Sequence, residues 1–244
     1  MQTLLRERLD PGIEVLRLNR PERRNALDTA TLQVIVAALE ELSVDRDLRV
    51  VVFGTTSERA LCAGADVGEP LDAAGGVLRM ESFARFYAAV EACPVPTICV
   101  CVGNCVGAGA ELAAGCDLRV GGANLRLAWA GSRLGVPVGV ARLVPLVGLA
   151  RAKELVFSGR SVNAEEARAL GLLARTAAAD GAEAAAIELA RELAVHPPDG
   201  LRRLKGMFRD FEGTADRVAR ENEILVDWQH HGAGLPQAEP RGAA

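Results

Sequence analysis

Residues 48–56 read LRVVVFGTT, a continuous apolar run rich in β-branched side chains. Such a run has no polar face to turn to water, so it reads as a strand covered on both sides. Helices supply that two-sided cover, which predicts an α/β core with a mostly parallel sheet. The flanking segments agree. GIEVLRLNRP (12–21) alternates apolar and polar residues up to Pro21 and reads as a strand, and ALDTATLQVIVAALEEL (26–42) has helical spacing with Asp28 or Thr29 as N-cap. A second helix is expected across 77–93, and PVPTICVCVGNCVGAG (94–109) reads as a buried strand entering a glycine turn. Residues 110–117 are helical in pattern and 118–129 return as short strands. From residue 139 onward the patterns are helical, over 139–159, 163–172, 181–195, 199–211 and 214–231. The last of these carries Val218, Ile224, Leu225 and Trp228 on its apolar side. Residues 232–244 are expected to be disordered.

Composition excludes several functions. A chain of 244 residues suits one α/β domain with a helical appendage, and it buries enough surface to need neither disulfide nor metal. A net charge of −4 without a basic cluster argues against nucleic acid as a partner. No apolar run is long enough for a bilayer, and the opening MQTLLRERLDPG does not read as a signal peptide, so a cytoplasmic location is expected. Cys93, Cys99, Cys101, Cys105 and Cys116 lie mostly in apolar, strand-like sequence without a C-x-x-C pair, and His196, His230 and His231 all come late. Buried thiols are expected rather than disulfides or a metal site.

Three segments carry possible chemistry: ALCAGADV (60–67), VGAGAELA (106–113) and AGSRLGVPVG (130–139). The first two are small-residue turns after strands. Such turns present free backbone N–H groups at a sheet's C-terminal edge, where they can stabilise charge developing on a carbonyl oxygen. VGAGAE is not G-x-G-x-x-G, and GSRLG is not G-x-S-x-G, so dinucleotide and serine-hydrolase readings fail. Glu111 follows the second turn directly. It is either an ordinary charge at a helix N-terminus or a carboxylate facing a pocket that the turn helps to build.

RPERRNALD (20–28), CAGADV (62–67), GAGAELAAGCDLRV (107–120), LGVPVGVARLVPLVG (134–148) and ELVFSGRSVNAEEARALGLL (154–173) occur in one order. Together they resemble the crotonase superfamily, the enoyl-CoA hydratase/isomerase family, over about residues 3–230. The resemblance implies a ββα spiral core (1–195) with the acyl-CoA site, a helical C-terminal oligomerisation region (196–231), and a homotrimer or hexamer. It also implies an acyl-CoA thioester as ligand and no metal or redox cofactor, CoA being part of the substrate. By the same resemblance, the N–H groups of Ala65 and Ala108 form an oxyanion hole, and Glu111 matches the first catalytic glutamate. CoA contacts are implied along Arg24, Asn25, Ala26 and Leu27, and along Ala63, Ala65, Asp66, Val67 and Gly68, with Arg23 or Arg24 near a phosphate. Asp66 is expected to cap its turn rather than catalyse.

The second glutamate of the family's hydratases falls at position 131, where this chain has Gly131, with Ala130 for the usual proline. The implied function is an enzyme of hydratase or isomerase type with Glu111 as acid/base. The alternatives are a non-catalytic acyl-CoA-binding subunit and a CoA-dependent decarboxylating or carbon–carbon lyase. Phe83, Phe86 and Tyr87 either line the acyl tunnel or belong to the core; Ser132 and Arg133 are read as loop polarity, and His230 and His231 as surface residues.

Overall fold

In the computed structural model, which describes residues 2–235, the chain begins with a hairpin. Strands β1 (Leu4–Leu9) and β2 (Ile13–Leu18) pair antiparallel. Helix α1 (Thr29–Ser43) follows, capped by Asp28, whose carboxylate accepts from the Thr31 N–H at 2.8 Å. Next come β3 (Val50–Thr55), β4 (Ala60–Cys62), α2 (Ala73–Ala92), β5 (Thr97–Cys101), β6 (Asn104–Val106), α3 (Ala108–Gly115), β7 (Leu118–Gly122) and β8 (Arg126–Ala128). The remainder is helical apart from β9 (Arg175–Ala177): α4 (Val140–Val147), α5 (Leu149–Ser158), α6 (Ala164–Ala169), α7 (Ala182–Ala194), α8 (Pro198–Glu212) and α9 (Thr214–His231).

The strands form a six-stranded sheet, β1-β2-β3-β5-β7-β9, parallel beyond the first hairpin, and a smaller parallel sheet, β4-β6-β8. The run at 50–53 shows why its strand is apolar throughout. Val50 and Val52 pack with Ala182, Ala186 and Ala190 of α7 on one face, whereas Val51 and Phe53 join the core under α1 and α2 on the other. All six cysteines are buried free thiols. Helix α8 is tied to the core by Lys205, which bonds the Val95 carbonyl at 2.9 Å and Asp117 at 2.7 Å, and by Arg209 on Glu91 at 2.6 Å.

Where the two sheets and the helical region meet, two glycines set the backbone. Gly107, at φ +53°, turns the chain from β6 into α3, a conformation few side chains tolerate. A Cβ on Gly109 would stand 2.3 Å from the Cys62 carbonyl oxygen, so α3 packs backbone-to-backbone on β4. Gly109→Ala is expected to lower stability by about 1–3 kcal/mol through overpacking, measurable as a shift in the urea midpoint.

The region read as one helix over 139–159 is two, α4 and α5, broken at Gly148, whose φ is +76°. Of the tail expected to be disordered, Gly234 and Leu235 are buried against the protein, and Leu235 donates its N–H to Gln229 at 3.0 Å. Residues 236–244 lie outside the described residues.

Candidate active site

The two small-residue turns meet. The segment after the 3-10 turn Pro21–Arg23 zips onto the turn after β4: the Ala63 N–H donates to the Arg24 carbonyl at 3.0 Å, Leu27 N–H to Gly64 at 2.9 Å and Asp66 N–H to Leu27 at 2.9 Å. Arg24 and Asn25 hold positive φ of 51° and 53° at the start of this ladder. The strain is braced by the Asn25 amide, which donates to Thr55 Oγ1 at 2.7 Å and to the Ala60 carbonyl at 3.0 Å. Asp66 accepts from the Gly68 N–H at 3.1 Å and pairs with Arg20 at 3.0 Å, so its carboxylate is spent on holding the turn.

Beside this ladder opens a cavity of about 260 Å³. Ala63, Ala65 and Val67 form one wall, and Gly107 and Ala108 at the start of α3 form another. Gly131, Val136 and Val138 close it from the loop before α4, Phe83 and Tyr87 come from α2, and Leu225 and Leu235 from the C-terminal end. Arg24, Ala26, Leu27, Asp66, Gly68 and Glu111 are not part of this wall. Arg23 and Arg24 are exposed, while Leu27 is buried. Among the described residues, neither the Ala65 N–H nor the Ala108 N–H meets a backbone carbonyl, and Ala108 is the first residue of its helix, where no intrahelical acceptor exists. Two unspent donors from different turns therefore border one apolar space.

Phe86 belongs wholly to the core, whereas Phe83 and Tyr87 reach the cavity. Position 131 offers no room for a side chain without adjustment: a Cβ there would be 3.1 Å from the Val136 carbonyl oxygen. Arg133 turns away to the Gly159 carbonyl at 2.9 Å. His230 and His231 are exposed on α9.

Glu111 lies in the first turn of α3, yet it is 1% exposed, which no ordinary helix-end charge is. Its carboxylate accepts from Arg142 of α4 at 2.9 Å. The same guanidinium nitrogen donates to Glu221 of α9 at 2.6 Å, and the guanidinium lies over the Tyr87 ring, 4.3 Å from its centre. The other Glu221 oxygen accepts from the N–H groups of Val140 and Ala141, at 2.7 and 2.8 Å, so a side chain from α9 caps the N-terminus of α4. Asn222 continues the link, donating to the Ala84 carbonyl at 2.9 Å. Glu111 Oε1 stands 3.1 Å from where a Cβ on Gly139 would be, so the carboxylate lies directly behind the loop whose Val136 and Val138 face the cavity. Burial pushes its carboxyl up to about 7, against the pull of Arg142 and with a further push from the Glu221 charge.

Sequence reasoning missed Arg142 and Glu221. A signal for Glu221 existed: it stands three residues after Val218 and four before Leu225, on the stripe those two residues define. Among the described residues no cluster of three or more potential metal ligands occurs, and no helix is long and apolar enough to cross a membrane.

Two sheets with a helical C-terminal region are also the architecture of solved enoyl-CoA hydratases. The chain belongs to the enoyl-CoA hydratase/isomerase family, which it matches over residues 8–231. It is 33% identical over 217 residues to the 2,3-dehydroadipyl-CoA hydratase of Escherichia coli, covering 87% of this chain and 85% of that protein. It is 35% identical over 188 residues to the bovine mitochondrial enoyl-CoA hydratase domain-containing protein 2. That match covers 75% of this chain but 64% of the bovine protein's length. The crystal structure of an enoyl-CoA hydratase/isomerase from Xanthobacter autotrophicus superposes with a TM-score of 0.85 at 26% identity, covering 96% of this chain and 89% of that one.

Proposed function

We propose that the protein acts on an acyl-CoA thioester in a reaction of enoyl-CoA hydratase/isomerase type, with the acyl group in the cavity and the thioester carbonyl on the N–H groups of Ala65 and Ala108. The observation that carries this reading is the pair of unspent donors on one apolar cavity. Two such N–H groups stabilise an enolate oxygen as it forms, and apolar walls strengthen them by keeping water out. Glu111 is the group that moves the proton, its carboxylate reaching the acyl group once the loop of Val136 to Gly139, which stands between it and the cavity, shifts aside. Its carboxyl, pushed up to about 7, suits transfer in both directions near neutral pH. With Gly131 where a second carboxylate would stand, hydration lacks the second group that handles water, and Glu111 is left to remove and return the proton alone. Assembly as a homotrimer or hexamer belongs to the same reading, supported by Leu204, Met207, Phe208 and Phe211, exposed on α8.

The test is purified protein with crotonyl-CoA and with a longer β,γ-enoyl-CoA, following the conjugated thioester absorbance. Appearance of conjugation from the β,γ-ester is the expected result. Tight binding of both esters without any spectral change would instead identify a non-catalytic binder.

The rate should also report Glu111. The raised carboxyl is protonated below about 7 and charged above it, so kcat/KM for proton abstraction should rise through that value and level off. Because the Glu221 charge pushes Glu111 upward, Glu221→Gln is expected to move the rising limb to lower pH. A pH–rate profile of the two proteins checks both statements.

A further inference from the structure

We infer that Tyr87 is the specificity-determining residue of the acyl cavity, its hydroxyl donating a hydrogen bond to a neutral oxygen, a hydroxyl or ketone, carried on the acyl chain. The inference rests on the acyl-CoA reading above and adds the class of acyl group. Among the described residues lining the cavity, Tyr87 alone carries a hydroxyl or an ionisable side chain; its neighbours there are Met80, Phe83, Val106, Leu225 and the like. Tyr87 is 5% exposed, and among the described residues no protein group takes a hydrogen bond from its hydroxyl. Nor does that hydroxyl number among the polar atoms sealed in packed protein without a partner, as Trp129 Nε1 does. The cavity is the space left for it to meet. Open to the cavity and unclaimed by the protein, the hydroxyl is placed to donate to an oxygen that the ligand delivers.

The surroundings decide which oxygen fits. Burial first, and then the charge of Glu111, hold the phenol well above its ordinary value, so it remains a donor. The Arg142 guanidinium against its ring is already shared between Glu111 and Glu221, leaving no uncompensated positive charge to attract a carboxylate. A neutral oxygen therefore matches the site better than an anion.

The experiment is calorimetric titration of butyryl-CoA, 3-hydroxybutyryl-CoA and the dicarboxylic ester glutaryl-CoA into the wild-type protein and into Tyr87→Phe, which keeps the ring on Arg142. The wild type should bind the hydroxy ester about fivefold more tightly than butyryl-CoA, the worth of one neutral hydrogen bond, and glutaryl-CoA more weakly than the hydroxy ester. Tyr87→Phe should erase that preference. A preference that persists in Tyr87→Phe, or that is absent from the wild type, overturns the assignment while leaving the acyl-CoA reading intact. Tightest binding of glutaryl-CoA overturns the choice of a neutral oxygen. Failure of all three esters to bind overturns the acyl-CoA reading and this inference with it.

Discussion

Glu111→Gln should slow turnover of an enoyl-CoA by about a hundredfold to ten-thousandfold while leaving the affinity for the ester within a few fold, the loss expected when a positioned acid/base is removed. The substitution is nearly isosteric, and the Gln carbonyl can still accept from Arg142, which retains Glu221 as its second partner. A loss confined to kcat therefore reads out proton transfer rather than folding. Equal activity in the variant would assign Glu111 to the structure alone, as one end of the buried ion-pair network.

Arg142→Met is expected to act on stability instead, costing about 3–5 kcal/mol, because it leaves two carboxylates from different helices buried without a cation. The loss has a predictable pH dependence. Already in the wild type the Glu111 carboxyl is raised in the folded protein from the ordinary 4.5 to about 7. Between those values the folded state holds a proton that the unfolded state has released, so this group's contribution to stability falls as pH rises. Without the guanidinium the folded value rises further and the window widens upward. The difference in unfolding free energy between Arg142→Met and wild type should thus be larger near pH about 8 than near pH about 5, as denaturant melts at the two values will report.

The large pattern of the fold was legible because it follows from local rules. The run at 50–53 announces a strand with two covered faces, and Asp28 announces a helix start that the Thr31 N–H confirms. Strand β1 was not read, since LLRERL is an edge strand with alternating charges and little burial, and its existence rests on pairing with β2 rather than on its own pattern. Helix α2 starts at Ala73, four residues before the expected 77, because Asp72 caps it through the Gly75 N–H although AAGG has no apolar rhythm. The split at Gly148 was hidden by apolar residues on both sides.

The site divides in the same way. The turns that bring Ala65 and Ala108 to one cavity were visible as small-residue stretches after strands, because close backbone approach demands such residues. The surroundings of Glu111 were not visible. Arg142 and Glu221 are 79 positions apart, and each looks like a solvated charge in its own helix. Only the packing of α9 across α2 and α4 makes them one network with Glu111 and Tyr87.

The central claim, that a thioester carbonyl is held by the Ala65 and Ala108 N–H groups, can be read directly from the infrared spectrum of crotonyl-CoA labelled at the thioester carbonyl carbon. Two donors in an apolar site weaken the C=O bond, so the carbonyl band of the bound ester should move to lower frequency than in water. A bound ester whose carbonyl band stays at or above its frequency in water would contradict the account, because the oxygen would then lie away from both donors.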